Sequence, residues 1–122
     1  MINLLAVFAG GGIGASCRYL ITKLSTKYLG MAHFGTFGAN IIGCFIIGYI
    51  FGLTLERTEI ISPTLKLFLT VGFLGGLTTF STFSNESFCF LKEGKIFHCA
   101  VYMILSLSVG LLATFAGYSL AK

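Results

Sequence analysis

The sequence predicts an all-α membrane protein with four transmembrane helices, and two observations lead to this fold class. The chain is 56% hydrophobic and only 10% charged, whereas a soluble domain carries roughly 25% charged residues. Its apolar residues form long blocks that contain no Asp, Glu, Lys or Arg, at residues 1–17, 28–55, 67–85 and 96–121. A chain with so little charge cannot cover a water-facing surface of its own.

The blocks have about the length that crosses a bilayer as a helix, which takes roughly 20 mainly apolar residues. The first block reaches this length if it continues through Arg18. Backbone polar groups in lipid must be bonded within the segment, so the spans should be helical. We predict a single transmembrane domain over residues 1–122, with spans at 3–22, 34–55, 65–91 and 97–120.

The charges fit a membrane better than a nucleic acid. The net charge is +4, but the basic residues are scattered in loops beside the spans, where lipid headgroups are the natural partners. Lys and Arg near span ends set the orientation in the membrane. The side that holds both termini has Arg57, Lys66 and Lys122, and the other side has Arg18, Lys23, Lys27, Lys92 and Lys95. This weak bias leads to the hypothesis that the chain inserts in both orientations.

The middle of the third span contains residues that disfavour a continuous helix. Gly75 and Gly76 are followed by two β-branched residues, Thr78 and Thr79, and both residue types have low helix propensity. A break at membrane depth is tolerated only where its backbone groups are buried in protein or line a cavity or an ion site. We predict that the third helix is broken near its middle. The alternative is a packing notch in a continuous helix.

Two phenylalanines follow this segment. Phe80 and Phe83 are three residues apart on one helical face, beside a polar stripe of Thr79, Thr82 and Glu86. A phenyl ring has a positive edge, so two rings presented edge-on would hold a small anion without a fixed positive charge. The alternative is ordinary packing against lipid or protein, which is a strong competitor for any one of 13 phenylalanines.

Further polar candidates lie in the second and fourth spans. Asn40 follows Thr36 by one turn on the same face, and its NH₂ group would serve an anion or form an interhelical hydrogen bond. Tyr102 and Ser106 form a hydroxyl pair four residues apart.

Two charged residues lie within the predicted spans, away from their ends. Arg18 is the only basic residue deep in a span, where charges are costly and often functional. It would also be able to snorkel to the interface beside Tyr19. Glu86 is the only acid within a span, and its position indicates either a pore mouth or an interhelical bond.

Three stretches of the chain closely resemble the small fluoride channel family, called Fluc or CrcB. Residues 10–19 are GGGIGASCRY, similar to the family's GGxxGAxxRY, and residues 35–45 are GTFGANIIGCF, similar to GTxxxNxxGxF. Residues 72–86 are GFLGGLTTFSTFSNE, which resembles the long and specific motif GxxGGxTTFSTFSxE. The resemblance covers the whole chain and extends to its length and four-span plan.

The resemblance implies an antiparallel, dual-topology homodimer in the bacterial inner (cytoplasmic) membrane. Each dimer would contain two fluoride pores, each lined by both subunits, for passive efflux that protects the cell from fluoride toxicity. The implied pore residues are Phe80, Phe83, Asn40, Ser81, Thr82, Thr36, Tyr102 and Ser106. Arg18 and Glu86 would belong to the vestibules. A structural sodium ion at the dimer centre would be held by the backbone carbonyls of Gly75 and Thr78.

Other functions explain the sequence less well. A small dual-topology proton-coupled exporter also has four spans, but it needs a central acid, and the first span offers Arg18 and no acid. A non-transporting membrane assembly protein would not need Asn40 with Phe80 and Phe83. An enzyme is not expected, because the sequence offers no nucleophile–base pair, metal set or phosphate loop. We therefore expect fluoride, sodium, lipid and a second copy of the chain as partners, and no organic cofactor or nucleic acid.

Overall fold

The computed structural model describes residues 1–57 and 59–122. Helix α1 covers Ile2–Leu29 and α2 covers Ala32–Glu56. The third span consists of α3 (Pro63–Leu67), a π-helical segment (Phe68–Leu74), α4 (Gly75–Leu77) and α5 (Phe80–Lys92), and the fourth span is α6 (Ile96–Ala121). Within these residues four helical spans are long and apolar enough to cross a membrane. This confirms the predicted all-α fold class with four spans.

Helix α1 extends seven residues beyond the predicted end of the first span. It has 28 residues and is therefore about 42 Å long, which exceeds the roughly 30 Å of a bilayer's hydrocarbon core. The extension at residues 23–29 includes Lys23, Thr26 and Lys27, which suit the headgroup region. Gly30 ends the helix with a left-handed backbone (φ 77°) and donates its N–H to the Thr26 carbonyl at 3.2 Å. The stretch between the predicted spans 3–22 and 34–55 is thus largely helical.

The other connections end in similar local caps. Ser62 precedes α3 and accepts a hydrogen bond from the Leu65 N–H at 3.2 Å, and Pro63 occupies the first helical position, where a missing N–H costs nothing. Gly94 turns the chain between α5 and α6 with φ 76°. These caps keep the spans adjacent and antiparallel along the chain.

The spans pack as two closely apposed pairs. Helix α2 makes its most extensive contact with α6, and α1 packs against the π-helical segment and α4. Glycines permit this proximity: a Cβ at Gly14 would overlap the Phe73 carbonyl oxygen, and one at Gly117 would overlap that of Phe45. Small residues allow backbones to approach in this way inside a membrane. Helix α1 supports the centre of the third span from one side, and α2 lies on the other side of that span.

The outer surface of the four spans is apolar. Phe8 is 81% exposed and Leu111 is 74% exposed, and large hydrophobic side chains are exposed on all four spans. The side chains of the buried polar residues Ser25 and Ser87 are hydrogen-bonded: the Ser25 hydroxyl donates to the Met31 carbonyl at 2.6 Å, and that of Ser87 donates to the Phe83 carbonyl at 2.8 Å. An apolar outer surface on four long helical spans is what a multi-pass membrane protein requires.

Candidate functional site at the third span

Helical geometry stops after α4 and resumes at α5, close to the middle of the third span. Thr78 (φ −85°, ψ 154°) and Thr79 (φ −150°, ψ 116°) are extended. The N–H and hydroxyl of Thr78 both donate to the Leu74 carbonyl, at 3.0 and 2.8 Å. The Thr79 hydroxyl accepts a bond from the Thr82 N–H at 3.2 Å and so caps α5.

Asn40 of α2 binds the backbone of this non-helical pair. Its Oδ1 accepts a hydrogen bond from the Thr79 N–H at 2.7 Å, and its Nδ2 donates to the Thr79 carbonyl at 3.2 Å. Asn40 thus forms an interhelical bond, one of the two roles considered for it. A carboxamide NH₂ carries two donors, and in the part of the chain that is described the second finds no acceptor.

The same rearrangement removes the helical partners of backbone carbonyls, including those of Gly75 and Thr78. In a continuous helix Gly75 would accept from the Thr79 N–H, and Thr78 would accept from the Thr82 N–H. Those two N–H groups instead donate to Asn40 and to the Thr79 hydroxyl. Gly75 is exposed, and a Cβ there would meet nothing within 4 Å. Unwound backbone carbonyls of this kind are suitable ligands for sodium, so the residues present fit the ion that the family resemblance implies.

Arg18 approaches the third span from the α1 side. Its Nε–H donates to the Gly76 carbonyl at 2.9 Å, and the side chain is half-buried. This carbonyl is in the last turn before the extended pair, at the carboxyl end of the helical segment, where a cation is favourable. Arg18 therefore contacts the protein backbone of the candidate site.

Phe80 and Phe83 lie side by side but in different environments. Their ring centroids are 5.8 Å apart with an interplanar angle of 45°. Phe80 is 77% exposed in the single chain, whereas Phe83 is 7% exposed and packs against Tyr102 with 5.2 Å between ring centroids. Both rings flank the same cavity.

Three hydroxyls cluster at the start of α5. The Thr79 hydroxyl donates to that of Thr82 at 3.0 Å and lies 3.4 Å from that of Ser81. Ser81 is exposed and Thr82 is half-buried. The predicted polar residues on both sides of Phe80 are therefore in mutual contact.

Glu86 joins three helices in a second polar cluster. Its Oε1 accepts a hydrogen bond from the Thr36 hydroxyl at 2.7 Å, and its Oε2 accepts one from the Tyr102 hydroxyl at 2.6 Å. Thr36 is 1% exposed and Tyr102 is 7% exposed. Glu86 thus forms interhelical bonds, and it occupies the donor hydrogens of two predicted pore residues.

A cavity of about 410 Å³ lies between α2, α6 and the third span. Its described lining residues include no charged side chain; they are Asn40, Gly43, Cys44, Ile47, Thr70, Leu74, Gly75, Thr78, Thr79, Phe80, Phe83, Ser106 and Leu107. The Ser106 hydroxyl is buried and has no hydrogen-bond partner among the described residues. Buried polar groups are nearly always bonded, and this hydroxyl is free to donate to a ligand or a water molecule in the cavity.

Several lining residues were not predicted from the sequence. Gly43, Cys44 and Ile47 follow Asn40 by three, four and seven residues, so they share its helical face. That spacing is a signal that could have identified them. Thr70, five residues before Gly75, carried no comparable signal.

These features define a multi-pass α-helical membrane protein with an uncharged polar site at an interruption of a spanning helix, an arrangement suited to ion passage. A family model described as "CrcB-like protein, Camphor Resistance (CrcB)" matches residues 5–118. A protein of Flavobacterium psychrophilum named "Fluoride-specific ion channel FluC" is 42% identical, over 100% of this chain and 98% of its own length.

A protein of Geotalea daltonii with the same name is 43% identical, over 95% of each chain, and one of Chlorobium phaeobacteroides is 41% identical, over 98% of this chain and 92% of its own. The chain belongs to the CrcB (FluC) family, as its three motifs predicted. The relatives are named as ion channels, which are not enzymes.

Proposed function

We propose that this protein is a fluoride-selective channel for passive fluoride efflux across the bacterial inner membrane. The observation that carries the proposal is the buried, unpartnered hydroxyl of Ser106 in the same uncharged cavity as the spare N–H of Asn40. The relatives named above are described as fluoride-specific. Such efflux would protect the cell from fluoride that accumulates after hydrogen fluoride leaks inward.

The donors in the cavity match the needs of a small, strongly hydrated anion. A selective path must replace the ion's water shell with several close donors, and it must bind weakly enough for exit. A buried unpaired hydroxyl costs about 1–3 kcal/mol, and an anion that accepts from Ser106 would recover this. The positive edges of Phe80 and Phe83 would attract the anion without a fixed charge. A Lys or Arg at the constriction would instead bind the anion too tightly for rapid exit.

The Glu86 cluster belongs to the mouth of this proposed path. The hydroxyls of Thr36 and Tyr102 donate to its carboxylate at 2.7 and 2.6 Å. To accept a hydrogen bond from the Thr36 or Tyr102 hydroxyl, an anion would have to displace the Glu86 carboxylate. An anion that accepts hydrogen bonds only weakly would therefore be excluded at this mouth. Ser81 and Thr82 would continue the line of hydroxyls beside Phe80.

The functional unit in this proposal is an antiparallel, dual-topology homodimer with two pores. Polar backbone groups cannot face lipid hydrocarbon, yet the freed carbonyls of Gly75 and Thr78 lie beside an exposed Gly75 and a 77% exposed Phe80. A second copy covering this face would bury them. A structural sodium ion held there by Gly75 and Thr78 of each subunit would supply positive charge to these carbonyl dipoles.

The dual topology has a direct test. A reporter active only in the cytoplasm and one active only outside the inner membrane are fused separately to Lys122. We expect activity from both, because the Lys and Arg bias between the two sides is weak. Exclusive activity of one reporter would exclude an antiparallel dimer of identical chains.

The channel assignment is tested by efflux from liposomes that contain the purified protein and either fluoride or chloride. We expect rapid fluoride efflux, little chloride efflux, and no need for a proton gradient. The proton-coupled exporter, which the family membership does not favour, would release its substrate only when a proton gradient is imposed. Equal fluoride and chloride efflux, or none of either, would refute the proposal.

A further inference from the structure

The bond between Arg18 and Gly76 replaces a main-chain hydrogen bond lost at the interruption. In a continuous helix the Gly76 carbonyl would accept from the N–H of Phe80, four residues later. Phe80 instead begins α5 after the extended Thr79. The Arg18 Nε–H donates to this carbonyl at 2.9 Å, so a side chain of another span satisfies it.

Close packing of α1 against α4 fixes this contact. A Cβ at Gly76 would overlap the Gly11 carbonyl oxygen and would lie 2.8 Å from the Ala15 nitrogen. Gly11, Ala15 and Arg18 are spaced by four and three residues, so they lie on one face of α1. The backbone contact therefore brings the arginine stem alongside the carbonyl that needs a donor.

Two spans thus hold the two sides of the non-helical segment. Arg18 of α1 binds Gly76, just before it, and Asn40 of α2 binds Thr79, its second residue. We infer that Arg18 is a positioning residue for the pore. Its Nε–H, rather than its charge, holds the backbone in place at Gly76, just before the interruption. This inference rests on the proposed function and assigns Arg18 a role different from a positive vestibule group.

Side-chain geometry separates the two roles. Glutamine has its amide nitrogen the same number of bonds from Cα as arginine Nε, so Arg18→Gln keeps the donor and removes the charge. Lysine has a methylene group at that position, so Arg18→Lys keeps the charge and displaces the donor. Arg18→Met has an apolar stem of similar length and lacks both. Lys23→Gln, an exposed position about one turn further along α1, is a matched control for loss of nearby positive charge.

Fluoride efflux from liposomes is measured for these four variants. We expect Arg18→Gln to retain at least about a third of the wild-type rate, and Arg18→Lys and Arg18→Met to lose about tenfold or more, because leaving the half-buried Gly76 carbonyl without a donor is costly. Lys23→Gln should resemble the wild type. A faster rate for Arg18→Lys than for Arg18→Gln, or recovery of Arg18→Lys but not Arg18→Gln as folded protein, would overturn the inference. Failure of both Arg18→Gln and Arg18→Lys to fold would also overturn the inference, because glutamine supplies the donor and should preserve the fold.

Hydrogen exchange of the purified protein in detergent gives a readout that does not depend on transport. Peptides covering residues 74–83 should exchange faster in Arg18→Lys and Arg18→Met than in the wild type or Arg18→Gln, and peptides from α6 should not change. Equal exchange in all variants would overturn the positioning role. If the wild type conducts no fluoride, the channel proposal fails, and hydrogen exchange still decides whether Arg18 holds the interruption.

Discussion

The side-chain amide of Asn40 and the backbone amide groups of Thr79 form a closed pair of hydrogen bonds, 2.7 and 3.2 Å long. The carboxamide therefore does for the extended residue what a helical neighbour would otherwise do: it satisfies one donor and one acceptor at membrane depth. It does so with one N–H left over, and the unpartnered Ser106 hydroxyl belongs to a residue that lines the same cavity. One residue thus both stabilises the interruption and offers a donor to an anion.

Asn40→Asp tests this double role. The substitution retains an oxygen for the Thr79 N–H, but it removes both amide hydrogens and adds a negative charge. We expect fluoride efflux from liposomes to fall by at least about 100-fold, since like charges about 4 Å apart repel by about 4 kcal/mol in a protein environment. Asn3→Asp is the matched control, because Asn3 is exposed and accepts only a bond from Thr64. Wild-type efflux in Asn40→Asp would remove this residue from the path.

The two phenylalanines should separate stability from transport. Phe83 is buried and Phe80 is 77% exposed, so Phe83→Ile should lower the free energy of unfolding of the chain by about 1–3 kcal/mol, and Phe80→Ile by less than about 0.5 kcal/mol. Both should reduce fluoride efflux sharply, by about tenfold or more, because each loses an aromatic edge.

The controls for this pair are simple. Phe8→Ile changes a ring that is 81% exposed on α1 and should leave efflux unchanged. Size-exclusion chromatography should give the same elution volume for all three variants and the wild type. If efflux is unchanged in both Phe80→Ile and Phe83→Ile, the rings play no part in the mechanism.

Ser106→Ala should reduce transport without weakening the fold. Its hydroxyl is buried without a partner, so removing it should leave the melting temperature in detergent unchanged or higher, by the equivalent of up to about 1–3 kcal/mol. Fluoride efflux should fall by about tenfold, the effect of losing one donor. Ser108→Ala, at an exposed position two residues further along α6, should change neither quantity. A lower melting temperature for Ser106→Ala would show that its hydroxyl is bonded in the native protein.

The four spans could be predicted because composition alone identifies long apolar segments. In lipid such a segment becomes helical, because its backbone polar groups have no other partners. The end of the first helix could not be predicted in this way. Residues 23–29 contain lysines and threonines that resemble a loop, yet α1 continues to Leu29 because water and headgroups accept a polar helix as readily as a loop.

The polar contacts depend on helix rotation and depth, which the sequence does not encode locally. Thr36 and Glu86 are 50 residues apart and meet at 2.7 Å, although nothing in the sequence near either residue indicates the other. Phe80 and Phe83 are indistinguishable by spacing, but only one is buried. The residues around Gly75 and Thr78 stood out because their helix propensities conflict with a long apolar span, and such local conflicts are visible in a single sequence.

Gly43 provides a test of how tightly α2 fits the interruption. A Cβ at Gly43 would overlap the Thr78 methyl group Cγ2, whereas one at Gly38 would meet nothing within 4 Å. Gly43→Ala should therefore displace Thr78 and lower fluoride efflux by about tenfold, because overpacking costs about 1–3 kcal/mol. Gly38→Ala in the same helix should have no effect on efflux and should slightly stabilise the helix.

A second substitution makes the Gly43 prediction specific. Serine at position 78 keeps the hydroxyl that donates to the Leu74 carbonyl at 2.8 Å, but it lacks the methyl group that a new Cβ would meet. The double variant Gly43→Ala with Thr78→Ser should therefore regain most of the efflux lost in Gly43→Ala, although two neighbouring substitutions are usually more harmful than one. Such coupling between residues in contact is what a double-mutant cycle measures. Additive losses in the double variant would mean that Gly43 acts through something other than its contact with Thr78.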